Sequence, residues 1–175
     1  MAITARAAEI TREGPLASGT TGELQQELRD LLCLAVAGDH IRWVLAGEGT
    51  AELAGWLHEA AGQWRTWADL VAGGLVARGV APDGRVRSLA KDVPLNWVPP
   101  GWLSRDEAWQ LMTGRLTRVC EWAAYRRSQA AEPGTLRLLD TVCAGMQAQL
   151  ARLATIPPNL PRSHPVRRRN RQPTH

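Results

Sequence analysis

Cysteine is scarce in this sequence: the 175 residues contain only Cys33, Cys120 and Cys143, with no Cys-x-x-Cys pair. This wide spacing argues against a disulfide framework and a structural zinc site, and it suits a reducing compartment. The longest uninterrupted apolar run, Leu31 to Ala37, is far shorter than the roughly 20 residues of a membrane span. Residues 1–15 contain no apolar block of the kind that a secretory signal needs. These absences predict a soluble cytoplasmic protein with no membrane partner.

Motifs for hydrolytic or nucleotide chemistry are also missing. The sequence has no Gly-rich phosphate loop, no nucleophile elbow and no His-Glu-x-x-His motif, so it offers no catalytic residue of those classes. The apolar fraction of 45% and the charged fraction of 22% are ordinary for a globular protein. The length suffices for one domain with a substantial core and tails.

Positive charge is concentrated at the carboxyl end. Residues 1–155 hold 16 basic and 17 acidic residues, a net charge of −1, whereas residues 156–175 hold five arginines and no acidic residue. The five are Arg162, Arg167, Arg168, Arg169 and Arg171. Five of the 11 prolines lie there too, which disfavours helix and predicts a disordered tail. Such a tail is either a solvated segment that aids solubility or an arm that binds a polyanion, usually nucleic acid.

Apolar residues spaced three and four apart predict helices through most of the chain. A capping box at Thr20–Glu23 is expected to open the first helix and Gly47 to end it. A second helix begins near Thr50 and ends at Gly79. Within it, Trp56 and Trp67 lie off the main apolar stripe, which favours a subunit contact over a deep core position.

Two further helices follow a long connection that is rich in turn signals. Ser104–Glu107 forms a second capping box, and Glu132–Thr135 separates the third long helix from the fourth. The connection from Val80 to Ser104 is expected to hold a short helix around Val86–Lys91. The predicted long helices are 22–47, 51–78, 105–130 and 135–154.

This order of elements predicts an all-α, ferritin-like four-helix bundle with a long crossover between the second and third helices. The expected organisation is a flexible N-terminal segment over residues 1–21, the bundle over 22–155 and the Arg- and Pro-rich tail over 156–175.

The same residues resemble the Dps family, the DNA-protecting, iron-storing ferritin-like proteins of starved bacteria. Arg42-Trp43-Val44-Leu45-Ala46-Gly47 keeps the Trp and Gly of the family's His-Trp-Asn-x-x-Gly pattern. Asp69-x-x-Ala72 and Arg78-Gly79 match the end of its second helix, and Glu132-Pro-Gly-Thr135 is similar to its Asp-x-x-Thr opening. The resemblance covers about residues 22–155. It implies a bundle subunit of a twelve-subunit shell that acts on iron and on the nucleoid in stress protection.

The resemblance also implies where an iron site would lie. Dps proteins share a ferroxidase centre between two subunits, and its ligand positions fall on Arg42, Ala54, His58, Asp69 and Gly73. Only Asp69 keeps the family's residue, and His58 is a candidate for a substitute ligand. Two irons need several oxygen and imidazole donors, whereas Ala54 and Gly73 donate nothing and Arg42 carries a permanent cation. We therefore expect a degenerate metal site, iron as the only implied metal, and an inactive ferroxidase.

His58, Asp69 and the function of the whole chain each have alternative interpretations. His58 either binds metal or packs at the surface beside Glu59, and Asp69 either binds metal or pairs with an arginine such as Arg42 across a subunit interface. The whole chain is a Dps-like protein that binds DNA through its tail with lost or weak ferroxidase activity, an iron-storage protein whose ferroxidase is completed by a partner subunit, or a helical protein-interaction module. The expected assembly is a homo-oligomer, or a hetero-oligomer with another Dps-like subunit.

Overall fold

Residues 19–90 and 98–156 are described by a computed structural model, and long helices make up most of them. The helices are α1 (Thr20–Val44), α2 (Ala51–Val76), α3 (Val86–Leu89), α4 (Arg105–Gln129) and α5 (Pro133–Ala154). No β-strand occurs in these two stretches. Within them, no helix is long and apolar enough to cross a membrane. The all-α prediction and the order of four long helices are confirmed.

The four long helices pair as two hairpins. Short links join α1 to α2 and α4 to α5, and the hairpins pack together through α1 against α4 and α2 against α5. The connection that holds α3 lies between α2 and α4, as the crossover prediction requires. The core is a single cluster of Leu, Ala, Val, Met, Ile, Cys and Trp side chains to which all four long helices contribute.

Helix α1 differs from its predicted bounds at both ends. It begins at Thr20 behind Gly19, which has a φ of 89°, and no side chain caps it, so the predicted Thr20–Glu23 capping box is wrong. It ends at Val44 rather than near Gly47 because Leu45 turns into extended backbone and pairs with Leu103. In that bridge, Leu103 N donates to Val44 O and Ala46 N donates to Leu103 O, both at 2.9 Å. The pairing with Leu103, which lies 58 residues after Leu45 in the chain, therefore determines where α1 ends.

Helix α2 runs unbroken through Gly62, as predicted, and ends in a glycine turn. Gly79 N donates to Val76 O at 2.9 Å and Val80 N donates to Leu75 O at 3.0 Å, which is the Schellman pattern. The turn requires a φ of 70° at Gly79, a left-handed conformation that side chains other than glycine adopt rarely.

The α4–α5 hairpin begins as the sequence predicts. Ser104 caps α4 through a complete capping box, in which its hydroxyl accepts from Glu107 N and the Glu107 carboxylate accepts from Ser104 N at 2.8 Å. The Ser104 hydroxyl also donates to the Glu107 carboxylate at 2.6 Å, and this hydrogen bond, together with the one from Ser104 N, holds the pKa of Glu107 below its usual value. Helix α5 starts at Pro133, two residues earlier than predicted, because proline suits the first turn of a helix.

The Gln25 side chain on α1 binds the first part of the crossover. Gln25 donates from Nε2 to Asp83 O and accepts from Asp83 N at Oε1, both at 2.9 Å. Asp83 also accepts from Arg85 and from the Ser88 hydroxyl, and these hydrogen bonds hold its pKa well below the usual range. The predicted short helix is present as α3, although Lys91, its expected end, lies outside the described residues.

Trp56 and Trp67 lie in the core of this chain, so the predicted subunit contact through them is wrong. Their relative exposures are 2% and 6%. Trp56 packs edge-on against Trp64, with ring centroids 6.0 Å apart. Trp67 fits because Gly145 on α5 has no side chain: a Cβ there would overlap Cζ2 of Trp67 and lie 2.6 Å from Cη2. Because Gly145 leaves room for the Trp67 ring, the second apolar face of α2 is buried within the chain at this point.

Candidate functional site

The outer face of the α1–α2 hairpin carries the predicted metal positions and is dominated by an ion-pair group. Asp39 on α1 accepts from Arg65 on α2 and lies 3.6 Å from Nη2 of Arg42, one turn further along α1. Two guanidinium groups thus share one carboxylate, and all three side chains are partly exposed. This group carries a net charge of +1, which opposes the binding of a metal cation.

The remaining predicted positions lie on α2. His58, Asp69 and Gly73 are exposed and Ala54 is partly buried. His58 and Asp69 are separated by eleven residues, which is about 16 Å along a helix axis at 1.5 Å per residue. They share the exposed side of α2 with Arg65, because Arg65 follows His58 by seven residues and Asp69 follows Arg65 by four. One chain alone therefore does not bring His58 and Asp69 to a common metal ion.

The side chains at these positions do not fit an iron site. Within residues 19–90 and 98–156, no group of three or more His, Cys, Asp or Glu side chains is arranged to hold a metal. The guanidinium of Arg42 lies 3.6 Å from the Asp39 carboxylate, so it would compete with a metal ion for that donor. A two-iron centre in this place would require nearly all of its donors from another chain.

A second polar cluster is buried between the two hairpins, and it was not predicted from the sequence. Arg126 on α4 donates from Nη1 to Glu27 Oε2 at 2.6 Å and from Nη2 to Asp30 Oδ2. Both carboxylates are fully buried. Burial raises the pKa of Glu27, although the charge of Arg126 opposes this effect. The signal was available: Glu27 follows Leu24 by three residues, and Arg126 follows Ala123 by three, so each occupies an apolar stripe position.

The cysteines behave as core residues and not as ligands or nucleophiles. Burial raises the pKa of Cys120 and that of Cys143 to about 11 in each case. Cys33 is fully buried on α1. None of the three forms a disulfide bond within the described residues. With their raised pKa values, the thiols of Cys120 and Cys143 are mostly protonated and react slowly.

Two tryptophans are exposed, and neither was predicted from the sequence to be a contact residue. Trp43, in the last turn of α1, and Trp102, just before α4, have relative exposures of 64% and 77%. The Leu45–Leu103 bridge ties together the two segments that carry them. A protein-interaction module would use these two rings and not Trp56 or Trp67.

The predicted nucleic-acid-binding arginines lie outside the described residues. Arg162, Arg167, Arg168, Arg169 and Arg171 all follow Ile156, the last residue that the structure describes. Ile156 itself is 4% exposed and packs in the core cluster. The Trp109 indole also donates to Leu153 O at 3.1 Å, which fixes the end of α5 against α4. The packed region thus reaches one residue beyond the predicted boundary at residue 155.

Comparison with solved structures identifies the architecture. No protein-family model matches the sequence, and a search of curated proteins gives no match. The structure of Dps92 from Deinococcus radiodurans matches with a TM-score of 0.75 and 22% identity, covering 81% of this chain and 87% of that one. The chain has the ferritin-like fold of a Dps subunit.

Other Dps structures give the same result. Dps from Microbacterium arborescens in its high iron form matches with a TM-score of 0.68 and 16% identity, covering 79% of this chain and 95% of that one. Dps from Mycobacterium smegmatis matches with a TM-score of 0.72 and 16% identity, covering 78% and 84% of the two chains. At these identities the likeness establishes the Dps-like fold and leaves the chemistry to the residues of this chain.

Proposed function

We propose that this chain is a Dps-like DNA-binding protein that holds DNA through its C-terminal arginines and has lost efficient ferroxidase activity. The separation of charge carries the proposal: five arginines and no acidic residue after position 155, against a net charge of −1 over residues 1–155. A bundle with this charge has little attraction for phosphates of its own. The tail supplies the attraction.

Binding of this kind depends on salt and not on base sequence. Each arginine that neutralises a phosphate releases a counterion, so five give a slope of log K against log salt of up to about −4.5 per tail. Contacts to phosphates position a protein without reading bases, and no aromatic residue lies among the five arginines. One tail is a weak ligand at physiological salt, and several tails on one assembly raise the effective concentration of arms.

Removal of the tail tests the proposal. The truncation is made after Ile156, because this residue belongs to the core. Gel shifts with unrelated duplexes at several salt concentrations should show retardation for the full chain and none for the truncated one. A full-length variant with Arg167→Gln, Arg168→Gln and Arg169→Gln is the matched control for chain length, and it should show a smaller salt slope. Equal retardation of the truncated and full chains at equal salt would make the tail a solubility segment.

The loss of ferroxidase activity is supported by the donor count at the outer face of α1 and α2. Arg42 and Arg65 place two cations around Asp39, while Ala54 and Gly73 offer no donor. Aerobic oxidation of Fe²⁺, followed by absorbance against a protein-free control, should proceed at the control rate. Rapid, saturable oxidation at about two irons per site would instead support the iron-storage alternative, with donors from a partner subunit.

We further propose that the outer face of the α1–α2 hairpin, where the predicted metal positions lie, is a subunit contact stabilised by ion pairs. Asp69 is exposed and has no ion-pair partner among the described residues, and the pair between Arg42 and Asp39 is long at 3.6 Å. An Arg42–Asp69 pair between two copies would satisfy both groups. Arg42→Asp should lower the mass on size-exclusion chromatography, and so should Asp69→Arg. The double variant should recover it, because the charges are exchanged. A double variant no better than either single one would disprove the pairing.

A further inference from the structure

A groove lies at the start of α4, and its apolar lining consists of Pro99, Pro100, Trp102, Leu103 and Leu111. The Trp102 side chain is 77% exposed, so its ring forms an open wall of the groove. The volume of the groove is about 280 Å³. Small-molecule sites have volumes of roughly 300–1,000 Å³. The groove is therefore of a size to hold one or two side chains of a peptide and not a cofactor.

The lining of this groove is of the kind that binds a proline-rich segment. Proline-rich segments take the extended polyproline II conformation and dock on grooves lined by aromatic rings. Trp102 supplies such a ring, and the side-chain amide of Gln110 at the groove can donate to a backbone carbonyl. Among these described lining residues the one charged side chain is that of Glu107. A carboxylate at this place does not repel a segment that leads into positive charge.

The chain itself leaves the bundle beside this end of α4. The indole of Trp109, in the second turn of α4, donates to Leu153 O at 3.1 Å, and Ile156 packs in the core. The next five residues in the sequence are Pro157, Pro158, Asn159, Leu160 and Pro161. These five residues carry no charge and three of them are prolines, whereas the arginines begin at Arg162. The tail thus starts with a short apolar segment that differs from the basic part behind it.

The length of this segment matches the path to the groove. Five residues in the polyproline II conformation span about 16 Å, at about 3.1 Å per residue. The axes of packed helices are about 8–10 Å apart. From the end of α5, the segment is therefore long enough to cross the start of α4 and bring its last residues to the groove. Its prolines also restrict the free segment, which lowers the entropy that docking would cost.

We propose that residues 157–161 dock in the groove at the start of α4, with the Leu160 side chain between Trp102 and Leu111. Leu160 is the anchor because it is the one large aliphatic side chain of the segment. Docking fixes the tail as far as Pro161, so that its arginines begin at the groove. The docking uses none of the five tail arginines, and this inference is therefore independent of DNA binding and of iron.

Fluorine NMR of the full chain, labelled with 5-fluorotryptophan, tests the docking. Each of the eight tryptophans contributes a signal, and Trp102→Phe identifies the signal of Trp102. Broadening by a soluble nitroxide measures how accessible each ring is to solvent. In the full chain the Trp102 signal should be protected from broadening. Truncation after Ile156 should shift this signal and abolish the protection, and the signal of Trp43 should stay unchanged.

Two substitutions within the segment separate the anchor from its neighbours. Leu160→Ser keeps the length and charge of the chain, and it should abolish the protection of Trp102 as the truncation does. Asn159→Ser is the matched control and should keep the protection. Truncation after Pro161 removes all five arginines and should also keep it, so a loss of DNA retardation in this variant leaves the docking untouched.

Two results would overturn the proposal. One is a Trp102 signal with the same position and the same broadening in the full chain and in the chain truncated after Ile156. The other is protection of Trp102 that disappears when the full chain is diluted, because a second copy of the chain would then cover the groove.

Discussion

The contact between Gly145 and the Trp67 ring predicts that one added methyl group is enough to destabilise this fold. Gly145 on α5 lies directly against the Trp67 ring on α2, and a Cβ at this glycine would meet three ring carbons, all within 3.0 Å. Trp67 is 6% exposed, so its ring has no space into which to move. Gly145→Ala therefore forces the ring or the helices apart.

The magnitude follows from two opposing effects. Overpacking a rigid core costs about 1–3 kcal/mol. Alanine gains about 1 kcal/mol over glycine inside a helix. Because the overlap is severe, we expect the upper end of the first range and a net loss of about 2 kcal/mol. For a chain of this size that corresponds to a fall in Tm of about 4–8 °C.

Gly62→Ala is the matched control in the same bundle. Gly62 lies in the interior of α2, and a Cβ there would meet nothing within 4 Å. The Gly62→Ala substitution should therefore stabilise the chain by up to about 1 kcal/mol from helix propensity alone. Thermal melts followed by circular dichroism at one protein concentration compare the two variants. Equal stabilisation by both alanines would refute the packing of Trp67 on Gly145.

Two further predictions concern the thiols and the caps. Because burial raises the pKa of Cys120 and Cys143 to about 11, about one thiol in a thousand is ionised at pH 8. Labelling of these thiols by a disulfide reagent should therefore be slow until urea is added. Fast labelling of the native chain at either residue, located by mass spectrometry, would contradict this prediction. Ser104→Ala should cost about 1 kcal/mol in chemical unfolding because it removes a complete capping box. Thr20→Ala should change stability by less than about 0.5 kcal/mol, since no side chain caps α1, and an equal cost for both would refute the assignment.

The residue types at the candidate site could be identified from the sequence, but their contacts could not. The resemblance to the Dps family places iron-ligand positions on Arg42, Ala54 and Gly73, and residue type alone decides that these three side chains offer iron no donor. The pairing of Arg65 with Asp39 was not predictable, since it depends on how α1 and α2 lie side by side. The stripe positions of Glu27 and Arg126 indicate that both side chains are buried, but they do not indicate that the two bond to each other, because 99 residues separate them in the chain.

Local interactions alone determined the four long helices and their order. The sequence signals were the helical spacing of apolar residues, the placement of glycine and proline, and one complete capping box. Gly79 and Ser104 acted as predicted because turn and cap geometry depends on a few adjacent residues. The tertiary structure decided where α1 ends, through the Leu45–Leu103 bridge, and which tryptophans are buried, through Gly145. Those outcomes depend on backbone partners and on space offered by another helix, and both exist only once the hairpins have packed.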